Sequence, residues 1–500
     1  MYLGIDLGTS EIKVLLMDEA GAIVATTGAA LTVSRPHPQW SEQDPMQWWA
    51  ATDAAMRQMR QAHGQALGRV KAIGLSGQMH GAVLLDRHDN ILRPAILWND
   101  GRSHRECRLL TERAPCLPEI TGNLAMPGFT APKLAWVADH EPHVFRQVAS
   151  VLLPKDYLRL MLSGDKVSDM SDAAGTLWLD VARRDWSDVL LDACGLSRSH
   201  MPRLVEGSAQ SGTLRAVLAH EWGLPEGVVI AGGAGDNAAS AVGIGATQAG
   251  DGFLSLGTSG VLFVVTDSFR ANPDSAVHAF CHALPGRWHQ MSVMLSAASC
   301  LSWVTRASGA PNEAALLPEA EGLTEAQRHR APLFLPYLSG ERTPHNDPHA
   351  QGVFFGLGHE TTLGALAHAV LEGVTFGMAD GLAALHAAGT RTSVLSLVGG
   401  GARSPYWSQL LADTLDLPIV THAGGSAGAA LGAARLGCLA SGVPEHQACA
   451  RLPVERRFEP DAGRRDALME RLERYRAVYR STQPLFAQAV SRVPTCHATE

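Results

Sequence analysis

Apolar and polar positions alternate in short blocks at the start of the chain. Tyr2 to Asp6 reads as a strand, Gly8-Thr9-Ser10 as a turn, and Ile12 to Met17 as a second strand. Asp18 to Gly21 turns again, and Ala22 to Thr27 forms a third strand. The period then changes. Asp44 is a good N-cap, Pro45 sits at the first helical position, and Gly64 marks the expected end of a helix. A short apolar strand, Val70 to Leu75, follows, then a glycine-rich loop from Gly77 to Gly81 and another hairpin.

The middle of the chain repeats this logic. Val228 to Ala231 is a buried strand that runs into Gly232-Gly233-Ala234-Gly235-Asp236, with a small-residue helix from near Asn237. Phe253 to Leu256 and Val261 to Thr266 flank a turn at Gly257 to Gly260. Later, Val394 to Val398 leads into Gly399-Gly400-Gly401-Ala402-Arg403-Ser404, with Ser404 as N-cap and Pro405 at the first helical position. The string Leu-Gly-Thr-Ser occurs at Leu7 to Ser10 and again at Leu256 to Ser259, about half a chain apart and in the same strand–turn–strand context. That echo predicts two halves built from one unit, with a boundary between Gly245 and Gly252.

Composition narrows the class. A chain of 500 residues is too long for one ordinary domain, and its 46% hydrophobic and 18% charged residues can build a large core. A net charge of −8 gives no nucleic-acid footprint. Eight scattered cysteines without a C-x-x-C pair fit a reducing compartment. The first residues lack a basic leader, and no run of about 18 apolar residues exists. A cytoplasmic protein with no membrane span is expected.

The chemistry-bearing residues lie at the turns. A Gly-Thr-Ser turn offers backbone N–H groups and hydroxyls to anionic oxygens, and two such turns facing each other would clamp a triphosphate. The glycine run after Val398 lets a flat ligand approach the backbone at a helix N-terminus. Each glycine cluster alone reads first as a plain tight turn; the three together, with acids beside two of them, favour phosphate binding. There is no G-x-x-x-x-G-K-[ST], so no P-loop. Asp6 precedes the first turn and can reach a Mg²⁺ shell, through water; the second copy has Ser255 in that place. Asp236 opens a helix, where free N–H groups would keep it ionised as a general base; its plain alternative is an N-cap.

GIDLGTS, GQMHGA, LWNDGR, FTAPKLAW, LLPKDYL, SDAAGT, AGGAGDNAA, LSLGTSG, FLPYLSGERTPH and GGGARS occur in that order, from residue 1 to about 440. In this ordered set the chain resembles the FGGY carbohydrate kinases, and within them the branch that acts on xylulose. The resemblance implies an α/β fold of two actin-like, ribonuclease-H-like ATPase domains with an interdomain active-site cleft. Residues 1–247 would carry the sugar site and the catalytic acids, and residues 248–500 the nucleotide site, with a helical tail from about 455. It implies Asp236 as base and Asp6 as the acid supporting Mg²⁺ and the phosphates. Thr9, Ser10 and Lys13 would lie near the γ-phosphate, Gly257, Thr258 and Ser259 on the other side of the phosphates, and Gly400, Gly401 and Ala402 at the adenosine.

Sugar binding is expected from Gln78, Met79 and His80 with Asp236 and Asn237. Glycerol kinases carry Arg-Glu where this chain has Met79-His80; an adaptable apolar wall and one imidazole suit a ketose. His80 as a plain structural histidine is the alternative. The implied reaction moves the γ-phosphoryl of ATP to the C5 hydroxyl of D-xylulose, with ATP and Mg²⁺ as cofactors; such kinases are commonly homodimers. Ribulose, gluconate, fuculose or glycerol, or a non-catalytic actin-like ATPase or sugar sensor, are the rival readings. Ala365 stands where the family pattern usually has a polar residue, at an expected helix start. The last 60 residues read as a solvated Arg/Glu-rich helix. Two other hits are discounted: a G-x-S-x-G run at Gly424 to Gly428 with His446 downstream, and a cluster of His278, Cys281, His282 and His289.

Overall fold

The computed structural model describes residues 1–425 and 428–490, so Ser426 of the G-x-S-x-G run lies outside the described residues. Two seven-stranded mixed sheets organise the chain. The first is built from β1 (Tyr2–Leu7), β2 (Glu11–Met17), β3 (Ile23–Ala30), β4 (Ala72–Gly77), β5 (Gln210–Thr213), β6 (Val229–Ala231) and β7 (Ala234–Gly235). Its order is β5-β6-β4-β1-β2-β3, with β7 extending the β6 side of β4. The second is built from β8 (Gly252–Leu256), β9 (Gly260–Thr266), β10 (His278–Cys281), β11 (Trp288–Met294), β12 (Leu395–Val398), β13 (Ile419–His422) and β14 (Val454–Phe458), in the order β10-β11-β9-β8-β12-β13-β14.

The two sheets share a pattern. In the first, the β1–β2 hairpin is antiparallel, β4 runs parallel to β1, and β6 parallel to β4. In the second, β8–β9 is antiparallel, β12 runs parallel to β8, and β13 parallel to β12. The two Leu-Gly-Thr-Ser strings occupy equivalent hairpin turns. Parallel central strands read as continuous apolar runs because both faces are covered; β4 is buried along its whole length.

Helices cover the sheets. They include α1 (Pro45–Leu67), α2 (Thr130–His140), α3 (Pro154–Ser163), α4 (Asp236–Ile244), α5 (Leu363–Ala387), α6 (Pro405–Leu415), α7 (Gly428–Ala440) and α8 (Arg465–Val490). Asp44 caps α1 by accepting from the Met46 N–H. The helix does not stop at Gly64: it bends at His63 (φ −136°) and ends with Gly68, whose N–H returns to the Gly64 carbonyl. The expected hairpin after the Gly77–Gly81 loop forms: Leu85 bridges Ile91 antiparallel, and the Leu92 N–H donates to the Leu84 carbonyl. Val83–Leu85 also pairs with Ser150–Leu152, and Ala95–Ile96 with Glu42–Gln43, so distant partners are added to the local one. Ala365 lies in the first turn of α5, where its N–H is capped by Thr362.

Chain order and packing part company at α7. It follows the second sheet's β13, yet it lies across the first sheet. A Cβ on Gly4 would fall 1.9 Å from the Ala430 carbonyl, and one on Gly74 1.7 Å from that of Ala433. Glycine at both positions lets the helix backbone touch β1 and β4. The C-terminal stretch is likewise no free tail. β14 closes the edge of the second sheet, and α8 buries Leu468, Leu472, Tyr475, Val478 and Phe486. Arg471 of α8 pairs bidentately with Glu372 of α5 at 2.7 and 2.6 Å, both side chains being buried. The expectation of a solvated helix fails because its apolar positions recur at helical spacing beneath the charges.

Among the described residues, no helix is long and apolar enough to cross a membrane.

Candidate active site

Register brings two carboxylates to one end of the first sheet. Asp6 of β1 lies opposite Ser76 of β4, and Ser76 lies opposite Ala234 of β7. One residue on, Leu7, Gly77 and Gly235 form the next row, and Asp236 follows at the start of α4. Parallel strands end at the same edge, so these acids meet there. The Asp6 Oδ1 is buried and has no hydrogen-bond partner. Lys13 faces Asp6 across the hairpin, with its ammonium 3.5 Å from Glu11.

Asp236 is the first helical residue, after Gly235 at the cap, so it is not itself the N-cap. Its Oδ1 accepts from the Asn237 N–H at 2.7 Å and from the Asn237 amide at 3.0 Å. Burial, then the charge of Asp6, pushes its carboxyl up to about 7. The expectation that the helix start would simply keep it ionised is therefore corrected. Desolvation and a like charge outweigh the N–H donors.

The Gln78–Gly81 loop is pinned from below. His80 adopts φ 67°, a left-handed conformation that is strained for a side-chain-bearing residue. Its carbonyl accepts from buried Lys133 at 2.7 Å and from Thr130 at 3.2 Å, both on α2. Its Nδ1 lies 2.6 Å from the Gly175 carbonyl. A carbonyl only accepts, so Nδ1 carries the proton and Nε2 keeps a lone pair for an incoming hydroxyl. Burial holds the imidazole down at about 3, so it stays neutral. Met79 is seated against Gly235: a Cβ there would come within 2.8 Å of the Met79 sulfur.

Gln78 behaves differently from expectation. It is 2% exposed, its Oε1 accepts from Thr9, and its amide donates to Gln43 at 2.9 Å. It braces the loop from inside instead of facing a cleft. The Thr9 hydroxyl is engaged as well, donating to Gln78 at 3.2 Å and accepting from the Trp98 indole at 3.0 Å. Ser10, beside it, is exposed.

A cavity of about 800 Å³ opens between the halves. Asn237 and Ser240 of α4 form one wall, and Ser255, Gly400, Ala402 and Arg403 belong to the second half. Asn237 thus turns toward this cavity while holding Asp236. Ser255 supplies a small neutral group where the first half has Asp6. Gly401 does not line the cavity. It is buried, and a Cβ on it would come 2.7 Å from that of Leu256. Gly257, Thr258 and Ser259 form the β8–β9 turn outside this lining, with Thr258 exposed and its carbonyl held by Ala297 and Ser299.

Sequence reasoning missed several supports. Lys133, Phe129 and Phe280 all contact or flank His80, with Phe129 4.7 Å and Phe280 6.2 Å from the imidazole, while Trp98 holds the neighbouring Thr9. A lysine inside the apolar FTAPKLAW run was the available signal. The histidine cluster has a packing role. His278 hydrogen-bonds Asn123 at 2.9 Å and Arg342 at 3.2 Å, and His289 stacks on Phe263. Among the described residues, no three His, Cys, Asp or Glu side chains converge as a metal site.

Comparison with known proteins agrees with this geometry. Residues 1–243 match the N-terminal domain model of the FGGY family of carbohydrate kinases, and residues 252–441 match its C-terminal domain model. The chain is 56% identical to a xylulose kinase of Escherichia coli (strain K12) over 490 residues, covering 97% of this chain and all of that one. It is 53% identical to a xylulose kinase of Klebsiella pneumoniae, again covering 97% of this chain and all of the relative. A crystal structure of a xyloylose kinase from Brucella ovis superposes with TM-score 0.94 at 52% identity, covering 97% of this chain and 99% of the other. Two family domains in order, matched over nearly the full length, make this chain a member of the FGGY family of carbohydrate kinases.

Proposed function

We propose that this protein transfers the γ-phosphoryl of ATP to the C5 hydroxyl of D-xylulose, giving D-xylulose 5-phosphate and ADP. The observation that carries the reading is the meeting of Asp6 and Asp236 at one sheet edge, with Asn237, the next residue, in the wall of a cavity of nucleotide size. The xylulose kinases to which the chain is similar support the choice of sugar.

In this reading, residues 1–247 carry the sugar and residues 248–500 carry the nucleotide. The sugar lies between Met79, His80 and Asp236. His80 accepts one hydroxyl hydrogen bond through Nε2, and Met79 forms an apolar wall. Asp236 takes the proton from the C5 hydroxyl as that oxygen attacks the γ-phosphorus, and the bond to the ADP oxygen breaks. Asn237 holds the carboxylate while lining the cavity. Gly400 and Ala402 admit the adenosine, and Ser10 and Lys13 lie on the phosphate side.

Phosphoryl transfer in such kinases uses Mg²⁺, and the partnerless Oδ1 of Asp6 fits a hydrated cation. Asp6 would hold it through water, and the ion would neutralise charge on the phosphates. We place the protein in the cytoplasm, and the homodimer common among such kinases is the assembly we expect. A gluconate carboxylate would favour a cation in the sugar loop. Neutral His80 supplies none, and the buried Lys133 amino group, whose burial disfavours its charge, is spent on two backbone carbonyls.

The test is an ADP-release assay with MgATP, run alone and with D-xylulose, D-ribulose, gluconate or glycerol. Stimulation by D-xylulose above the rest is expected. ATP turnover indifferent to every sugar would transfer the protein to the ATPase or sensor class.

A further inference from the structure

Behind the candidate base lies a set of buried charges that the reaction does not touch. Lys155 and Arg159 of α3 and the acids Asp156, Asp169 and Asp172 are all fully buried. The Lys155 ammonium lies 2.6 Å from Asp156, 2.7 Å from Asp169 and 3.1 Å from Asp172. Five ionisable groups out of water are costly unless they are paired, and burying them needs a return in geometry.

That return is visible in what they hold. Asp169 accepts the hydroxyl of Ser171, and the Ser171 oxygen accepts the Gly235 N–H at 3.2 Å. Gly235 is the cap residue of α4, directly before Asp236. On the other side, Arg159 donates to the carbonyls of Ala231, at 2.6 Å, and Gly232, and to Ser211. The cluster therefore grips the β6–β7 segment at both ends, and that segment delivers the base. Gly77, which neighbours Gly235 in the sheet, leaves room for the Lys155 stem; a Cβ there would come 3.1 Å from that of Lys155.

We propose that the chain Lys155–Asp169–Ser171 is the positioning relay of this enzyme: it locks the Gly235 amide, and through it sets where the Asp236 carboxylate stands. These are positioning residues, since none of them reaches substrate. The inference rests on the reading of Asp236 as the base. Burial, against the pull of Lys155, lifts the Asp172 carboxyl well above the usual range.

The test uses the full-length protein. Ser171→Ala removes one hydroxyl from a buried site, and Asp169→Asn keeps the volume while removing the charge. We expect each to lower kcat by about ten- to a hundredfold, the size of loss that follows about 1 Å of misplacement at a reacting group. KM for ATP should stay within about twofold, and the double variant should lose no more than the worse single one, because both cut the same relay. Amide hydrogen exchange at Gly235 should quicken in both.

A merely structural role would lower the melting temperature yet leave kcat of the folded enzyme intact. Wild-type kcat in Ser171→Ala, unaltered Gly235 exchange, or multiplicative losses in the double variant would each overturn the relay. Should Asp169→Asn not fold, Ser171→Ala decides alone. The wild type run alongside separates the two claims. If it phosphorylates no sugar, the function reading falls, and the exchange rate at Gly235 still tests the relay.

Discussion

Asp236 sits where two opposing influences meet. Two amide donors from Asn237 favour its ionised form, while burial and Asp6 favour the neutral one and win, placing it at about 7. A base must be ionised to work, so kcat is expected to fall about tenfold per unit as pH drops below that region. A magnesium–nucleotide beside Asp6 would shift the limb to lower pH by cancelling the like charge. KM for the sugar should not follow, because His80 titrates near 3 and stays neutral across the range. A pH profile of kcat and KM from 5 to 9 checks both. Asp236→Ala should cut kcat by about 10²- to 10⁴-fold while sugar binding, read by calorimetry, largely survives. Substantial residual turnover would remove Asp236 from the base role.

At the scale of elements, α2 is the platform for the Gln78–Gly81 loop, which we propose holds the sugar. The Lys133 amino group donates to the carbonyls of His80 and Gly128, at 2.7 and 2.8 Å. Lys133→Met keeps most of the volume but strips a donor from both; the His80 carbonyl is left with Thr130 alone, and a buried group left unpaired costs about 1–3 kcal/mol. The loop holds a left-handed His80 against that gain, so KM for the sugar should rise at least about tenfold, with a smaller change in kcat. Steady-state kinetics with D-xylulose would show the split; an unchanged KM would mean the loop holds its shape unaided. The α5–α8 contact makes a different prediction. Removing Arg471 leaves Glu372 buried and uncompensated, which costs about 3–5 kcal/mol. Arg471→Met should show this in urea unfolding. Loss of only a few tenths would return α8 to the role of a solvated helix.

The whole molecule assigns work across its two halves. His80 and Phe129 come from the first half, yet Phe280 on β10 of the second sheet lies 6.2 Å from each ring. The loop proposed to hold the sugar is therefore walled by both, and closure of the halves on bound substrates would exclude water there. Phe280→Ala should raise KM for the sugar more than KM for ATP, although the residue belongs to the half expected to bind nucleotide. Equal or reversed effects in a two-substrate kinetic matrix would sink that division of labour. The docking of α7 on the first sheet ties the two halves together, because the second half is anchored through a helix on β1 and β4.

Periodicity and turn chemistry were enough for the two hairpins, the cap of α1, the strand before Gly399 and the Ser404 cap of α6. These are local matters: a strand, a tight turn and a cap are decided within a few residues. The repeated Leu-Gly-Thr-Ser string and the ordered motifs made the two-part α/β fold and the kinase chemistry legible as well. What the sequence could not decide was partnership. Whether Gln78 faces a ligand or Gln43, whether Gly401 lines a cavity or packs on Leu256, and that Val83–Leu85 gains Ser150–Leu152 as a second partner all depend on segments far along the chain. The protonation of Asp236 depends on Asp6, which is distant in sequence and adjacent only through the register of β1, β4 and β7. Desolvation and Coulomb repulsion act through space, so they appear only once the chain has folded.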